Sequence, residues 1–238
     1  MNDWDLLLRW VSARDEEAFA ELVRRNVDLV FSAALRQVNG DRHLAQDVTQ
    51  TVFQDLARKA GSLSSRVVLS GWLYTSTRFA AAKAVRTEQR RRKREQKAEY
   101  MDEPSDSGPT PDWEQLQTVL DEAMHDLSER DRNAVLLRYF EGRNLREVGE
   151  RLGVSPDGAR MRVERALEKL RGLLGKRGVA STSGALALLL SQQALTAAPA
   201  GLAAAATASA LGAAAVTGGT TLALLQFMSM TKIKAAAL

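Results

Sequence analysis

Apolar positions recur with a helical period through most of the first hundred residues. Phe19, Leu22, Val23, Val27, Val30 and Phe31 line one side of a predicted helix from about Asp15 to Val38. The turn Asn39-Gly40-Asp41 ends it, and Leu44, Val48, Val52, Phe53 and Leu56 mark a second helix from about His43 to Lys59. Gly61 to Ser70 is Ser-rich and reads as irregular. A third helix starts near Gly71 as WLYTSTRFAAAKAVRTEQRRRKREQKAEY. Its first half is apolar enough to pack on the other helices, and its second half is too charged for burial. Residues 101–112, MDEPSDSGPTPD, gather three of the five prolines among Ser, Gly and acidic side chains, so they read as a linker. Helical periodicity resumes at Trp113 and continues to about Leu174 through Leu116, Leu120, Met124, Leu127, Val135, Leu136, Tyr139 and Phe140. Neither half alternates like a strand. The expectation is an all-α chain of two small helical domains, over residues 1–100 and 113–177.

Within the second domain, Asn144 to Arg171 spells two helices joined by a tight turn. Leu145, Val148 and Leu152 stripe the first helix, and Gly153 supplies a left-handed end for it. Ser155 is placed to cap the second helix, with Pro156 at its first position, where a missing N–H costs nothing. That helix would bury Val163, Ala166, Leu167 and Leu170 and project Arg160, Arg162, Arg165 and Lys169. This is the layout of a DNA-reading helix-turn-helix, whose second helix enters the major groove.

Charge agrees with a nucleic-acid partner. The net charge of +4 is mild but unevenly placed. Gly142 to Arg177 holds ten Lys/Arg against five Asp/Glu, and Lys83 to Lys97 holds eight against two. Two separated basic patches suggest two contacts with phosphate backbone, whose strength falls steeply with salt. Cysteine is absent, which removes disulfides, thiolate metal sites and thiol catalysis. With His43 and His125 alone, and no paired carboxylates at metal-ligand spacing, an enzyme, a metal site or a cofactor is not expected. No signal peptide opens the chain, because Asp3, Asp5 and Arg9 interrupt the apolar run, so a cytoplasmic location is expected.

From Gly178 the composition changes. No charged residue lies between Arg177 and Lys232, and Ala, Leu, Gly, Ser and Thr dominate. Ala203 to Met228 is long enough to span a bilayer core, for which ~20 apolar residues suffice. It is also only weakly hydrophobic, so a membrane segment, a disordered Ala-rich tail and a segment folded back on the two domains all stay open for residues 178–238.

Two helical DNA-facing modules joined by an acidic, Pro-rich linker resemble a bacterial RNA polymerase sigma factor of the small extracytoplasmic-function type. Three stretches carry the likeness. AQDVTQTVFQDL, Ala45 to Leu56, resembles the helix by which these factors grip core polymerase, which implies polymerase-facing roles for Asp47, Gln50, Thr51, Phe53 and Gln54. GWLYTSTRF with the RRRKR run resembles the helix that engages the melted minus-ten element, and implies DNA contacts by Trp72, Tyr74, Arg78, Phe79, Lys83 and Arg86. Aromatics interleaved with basic residues suit that task, since they stack unpaired bases and neutralise backbone. For Trp72, anchoring the helix in the core is the favoured reading. The helix-turn-helix resembles the module for the minus-thirty-five element, implying Ser155, Asp157, Arg160, Arg162 and Arg165 as its readers. The implied partners are core RNA polymerase and promoter DNA, with an anti-sigma factor or a membrane left open for the C-terminal extension. A stand-alone helix-turn-helix regulator that needs no polymerase is the competing reading.

Overall fold

A computed structural model describes residues 2–96, 113–179, 181–193 and 195–215. The proposed linker, residues 101–112, lies outside them. The first module holds α1 (Asp3–Ala13), α2 (Glu16–Gln37), α3 (Arg42–Lys59) and α4 (Leu69–Gln96). The second holds α5 (Trp113–Asp126), α6 (Glu129–Val135), α7 (Leu145–Leu152) and α8 (Pro156–Gly175). Two helices follow, α9 (Ser183–Gln193) and α10 (202–215). The described residues contain no strand.

The helix ends have local causes. Asn2 and Asp5 form a capping box at the start of α1, and Asp15 and Asp41 cap α2 and α3. Asn39 and Gly40 take φ of 54° and 80°, turning the chain between α2 and α3. The helix α1 precedes the periodic run that starts near Asp15, and its signal is the pattern of Asp3 and Asp5 followed by Leu6, Leu7 and Trp10. Those acidic residues sit in its first turn, where they suit the helix dipole.

Periodicity alone joins Val135 to Phe140 into one α-helix. The structure instead winds Leu136–Phe140 as a π-helical turn, with the Glu141 N–H reaching back to the Leu136 carbonyl at 3.0 Å. The wider turn buries Leu136, Leu137 and Phe140 together.

Two apolar cores result. The first gathers Leu7, Phe19, Leu22, Phe31, Phe53 and Leu56 among α1–α4. The second gathers Leu120, Met124, Leu136, Val163 and Leu170 among α5–α8, and takes in Leu29, Ala33, Val68 and Tyr74 from the first module. The modules therefore pack on each other. At their seam Arg36 grips Asp121 with two hydrogen bonds, 2.8 and 3.0 Å, and the Tyr74 hydroxyl donates to the same carboxylate. The Phe140 ring meets Tyr74 edge-on at 6.5 Å, with the Arg36 guanidinium 5.9 Å from its centroid.

The C-terminal extension is part of both cores as far as residue 215. Leu186 and Leu190 of α9 are fully buried in the second, and Leu202, Ala206 and Ala210 of α10 lie buried in the first. No described helix is long and apolar enough to cross a membrane. The rest of the segment Ala203 to Met228, from residue 216 on, lies outside the described residues.

Candidate nucleic-acid interface

The helix-turn-helix is built by close backbone approach. Asn144 and Glu147 form a capping box on α7, and Gly153 ends it at φ 66°. The Val154 N–H then turns back to the Gly149 carbonyl at 2.9 Å. A Cβ on Gly149 would stand 2.7 Å from the Val154 carbonyl oxygen, so the turn needs glycine there. The Ser155 hydroxyl accepts the Gly158 N–H at 3.1 Å and caps α8, with Pro156 at its first position. Val163, Ala166, Leu167, Leu170 and Leu174 face the core.

The outer face of α8 carries the proposed readers. Ser155, Asp157, Arg160 and Arg165 are exposed, Arg162 is half-buried, and Met161 adds an exposed apolar side chain between them. Arg160 pairs with Glu164 at 3.1 Å, a solvent-facing contact that holds it weakly. Lys169 turns away from this face to Asp131, 2.5 Å distant. Burial raises the Asp131 carboxyl pKa, but hydrogen bonds from Lys169 and Ser128 outweigh it and hold the group below its ordinary value.

On α4 the predicted residues divide. Phe79 is 68% exposed, more than any other large hydrophobic side chain among the described residues, and Lys83 and Arg86 stand exposed on the following turns. Trp72 is half-buried against the first core. Arg78 is half-buried, with its Nη1 buried and unpartnered. Tyr74 differs from the expectation: it is 2% exposed, its ring lies against Phe140 and its hydroxyl on Asp121. In this arrangement it presents no face to a base. Farther along, Arg90 and Arg91 are exposed and Arg91 pairs with Glu88. The side chains of Arg92 to Arg94 lie outside the described residues. Before α4, Ser64 to Arg66 form an exposed turn closed by the Val67 N–H on the Ser64 carbonyl, 2.9 Å.

On α3, Asp47 and Thr51 are exposed and Gln50 is half-buried. Phe53 is fully buried in the first core, which corrects its expected place on the outer face. It follows Val52 on the apolar stripe, and a ring at zero exposure has nothing left to offer a partner. Gln54 returns to the outer face, where its Nε2 donates to Ser209 of α10 at 2.5 Å.

The residues that the sequence reading missed are those whose partners come from far along the chain. Asp121 meets Arg36 across 85 residues, and Ser32 meets Thr196 across 164. The spacing of Leu186 and Leu190, and of Leu202, Ala206 and Ala210, was the available signal for two buried helical stripes. The described residues hold no group of three or more His, Asp or Glu placed to bind a metal.

Comparison with known proteins follows this division. The family description "Sigma-70 region 2" matches residues 22–91, and "Sigma-70, region 4" matches residues 123–172. The RNA polymerase sigma factor CarQ of Myxococcus xanthus is 32% identical over 161 residues, covering 68% of this chain and 91% of the relative. The ECF RNA polymerase sigma factor SigK of Mycobacterium sp. (strain KMS) is 30% identical over 179 residues, covering 73% and 92%. Among solved structures, the sigma factor RpoE of Bartonella quintana, in complex with the anti-sigma factor NepR, aligns at 19% identity and a TM-score of 0.31, covering 68% of this chain and 98% of that one. An N-terminal module of the region 2 family also removes the reason for reading the chain as a stand-alone helix-turn-helix regulator. Matched to CarQ and to the ECF factor SigK over nine tenths of each relative's length, with region 2 and region 4 in order, the chain belongs to the ECF RNA polymerase sigma factors.

Proposed function

We propose that three faces of the molecule divide the work of a sigma factor, a non-enzymatic subunit that binds core RNA polymerase and directs promoter recognition and melting. Asp47, Gln50, Thr51 and Gln54 on the outer face of α3 contact polymerase. Phe79, Lys83 and Arg86 on α4, with Arg78 beside them, hold the melted minus-ten element. Phe79 stacks an unpaired base while the cations neutralise backbone. Arg160, Arg162 and Arg165 on α8 read the minus-thirty-five element in the major groove, and Ser155 and Asp157 set the helix start against the DNA. Residues 1–100 act as the region 2 module and residues 113–177 as the region 4 module, joined by the linker at 101–112. The work is cytoplasmic, because polymerase and chromosome are there.

The observation that carries this reading is the pairing of an exposed aromatic, Phe79, with flanking cations on one module and a capped basic recognition helix on the other. Run-off transcription with core polymerase on genomic fragments tests it. Promoter-specific transcripts that require both this chain and core enzyme are the expected result. Tight, sequence-specific binding of promoter duplex by the chain alone, with no gain from core enzyme, would overturn it.

A further inference from the structure

The extension from Ser183 to residue 215 is fastened to both modules, and its second half lies beside the face of α3 that the reading above gives to polymerase. The first fastening is α9, whose Leu186 and Leu190 are fully buried in the second core, with the Ser183 hydroxyl donating to Glu168 at 2.7 Å. The chain then crosses α2. There the Ser32 hydroxyl donates to the Thr196 carbonyl at 2.9 Å and accepts the Thr196 N–H at 2.6 Å. One turn away the Ala198 N–H reaches the Asp28 carboxylate at 2.8 Å. The second fastening is α10, with Leu202, Ala206 and Ala210 at i, i+4 and i+8 buried in the first core. Small side chains on that stripe let the helix lie close, and Ser209 then takes the side chain of Gln54. Asp47, Thr51 and Gln54 follow one another at i, i+4 and i+7, so Gln54 stands on the same face of α3 as the two exposed residues.

We propose that residues 195–215, anchored to the second module through α9, form an intramolecular strap on the first module that competes with core polymerase for the Gln54 edge of α3 until it is displaced. This rests on the reading of α3 as the polymerase-facing helix. The strap has no charged residue, so its hold rests on apolar burial and on neutral or carboxylate hydrogen bonds such as those at Ser32, Asp28 and Gln54. Its buried stripe is one leucine and two alanines, with Leu211 and small alanines packed at its edges, so mostly small side chains hold it and release stays reversible. Tethering supplies the rest: a short link keeps a docked segment at an effective concentration of about millimolar, so a weak contact still competes with a second protein.

The test uses the full chain. Ala206→Asp with Ala210→Asp places two carboxylates in the first core and ejects α10 without touching residues assigned to polymerase or DNA. The expected result is faster amide hydrogen exchange on the covered side of α2 and α3, with core polymerase bound about tenfold more tightly, the gain set by how much closed form is removed. A second variant, Ser32→Cys with Thr196→Cys, uses the absence of natural cysteine to make one cross-link. Oxidised, it should bind core polymerase more weakly, and reductant should restore binding. The pair decides the matter if the aspartate variant fails to fold. Unchanged affinity in a variant whose exchange shows α10 released, or equal binding by the oxidised and reduced pair, would overturn the proposal. Loss of polymerase binding by a folded aspartate variant would do the same, since it would make the strap part of the active form. Failure of every form to bind core polymerase would instead count against the polymerase reading of α3, while the exchange data would still report release of the strap.

Discussion

Two phenylalanines on neighbouring helices show how far burial decides a residue's task. Phe53 on α3 has zero exposure and Phe79 on α4 has 68%, although both sit among residues assigned by resemblance to binding faces. Phe53→Ala should lower stability by about 3–5 kcal/mol, the usual cost of emptying a core ring site, and any loss of polymerase binding should track unfolding. Phe79→Ala should leave the unfolding free energy within about 0.5 kcal/mol of wild type. It should weaken promoter opening by about 1–3 kcal/mol, the worth of one base stack. Thermal melts beside a single-strand-sensitive opening assay separate the two. A Phe79→Ala variant that melted early but opened promoters normally would reverse the assignment. Gly149 makes a similar point without a side chain. Gly149→Ala drives a methyl against the Val154 carbonyl at 2.7 Å, a backbone atom that cannot swing aside. It should cost about 1–3 kcal/mol and loosen DNA binding by misplacing α8, whereas a methyl on Gly172, which has open space around it, should not. The left-handed Gly153 and the Ser155-Pro156 cap were readable in the sequence because turn chemistry is local. Tyr74 was not, because its fate depends on Asp121, 47 residues away on the other module.

The elements themselves were legible where amphipathic period and caps agree. The bounds expected for α2 and α3 differ from those found by about one residue, since Asp15, Asp41 and the Asn39-Gly40 turn act within a few positions. The π turn at Leu136–Phe140 has no such local mark: what it achieves is the burial of Phe140 against Tyr74, a long-range contact. The tail was ambiguous for a different reason. A charge-free Ala-rich run suits a bilayer, a solvated coil or a core equally well, and the choice depends on whether a partner surface exists. For α9 that surface is the second core. Cutting the chain after Arg177, where the helix-turn-helix ends by sequence, would strip Leu186 and Leu190 from their sites. Each buried leucine contributes about 1.5–3 kcal/mol, so this truncation should be markedly less stable to denaturant than one ending after Gln193, which keeps α9. Urea titration of the two forms beside the full chain checks this. Equal midpoints for both truncations would mean that α9 merely rests on the module.

At the scale of the whole molecule, the seam between modules turns on one buried carboxylate shared by an arginine and a tyrosine. Arg36 and Asp121 are both nearly excluded from water, and removing one partner from such a pair costs about 3–5 kcal/mol because the other charge stays buried. The seam also gives the closed arrangement a pH signature. Burial, and after it the neighbouring Asp121 charge, pushes the Tyr74 phenol well above its ordinary value of 10.0. Ionisation is thus harder in the packed state than in the open one, and the neutral phenol is the form that stabilises the seam. A raised pKa in the folded state means that this contribution is whole below about pH 10 and declines as pH rises above it, because the opened chain releases the proton first. Tyr74→Phe removes the titrating group and the hydrogen bond to a charged acceptor, which costs about 1.5–3 kcal/mol at neutral pH. The variant should therefore start less stable than wild type and lose less of its stability between neutral pH and pH values above 10. The check is denaturant unfolding across that range, with phenolate absorbance to follow ionisation among the three tyrosines. Parallel loss in wild type and Tyr74→Phe would show that the phenol titrates as if exposed and that the seam opens before it ionises. Because the same residue sits on the helix assigned to the minus-ten element, a seam that opens readily is also the route by which Tyr74 would become available to DNA.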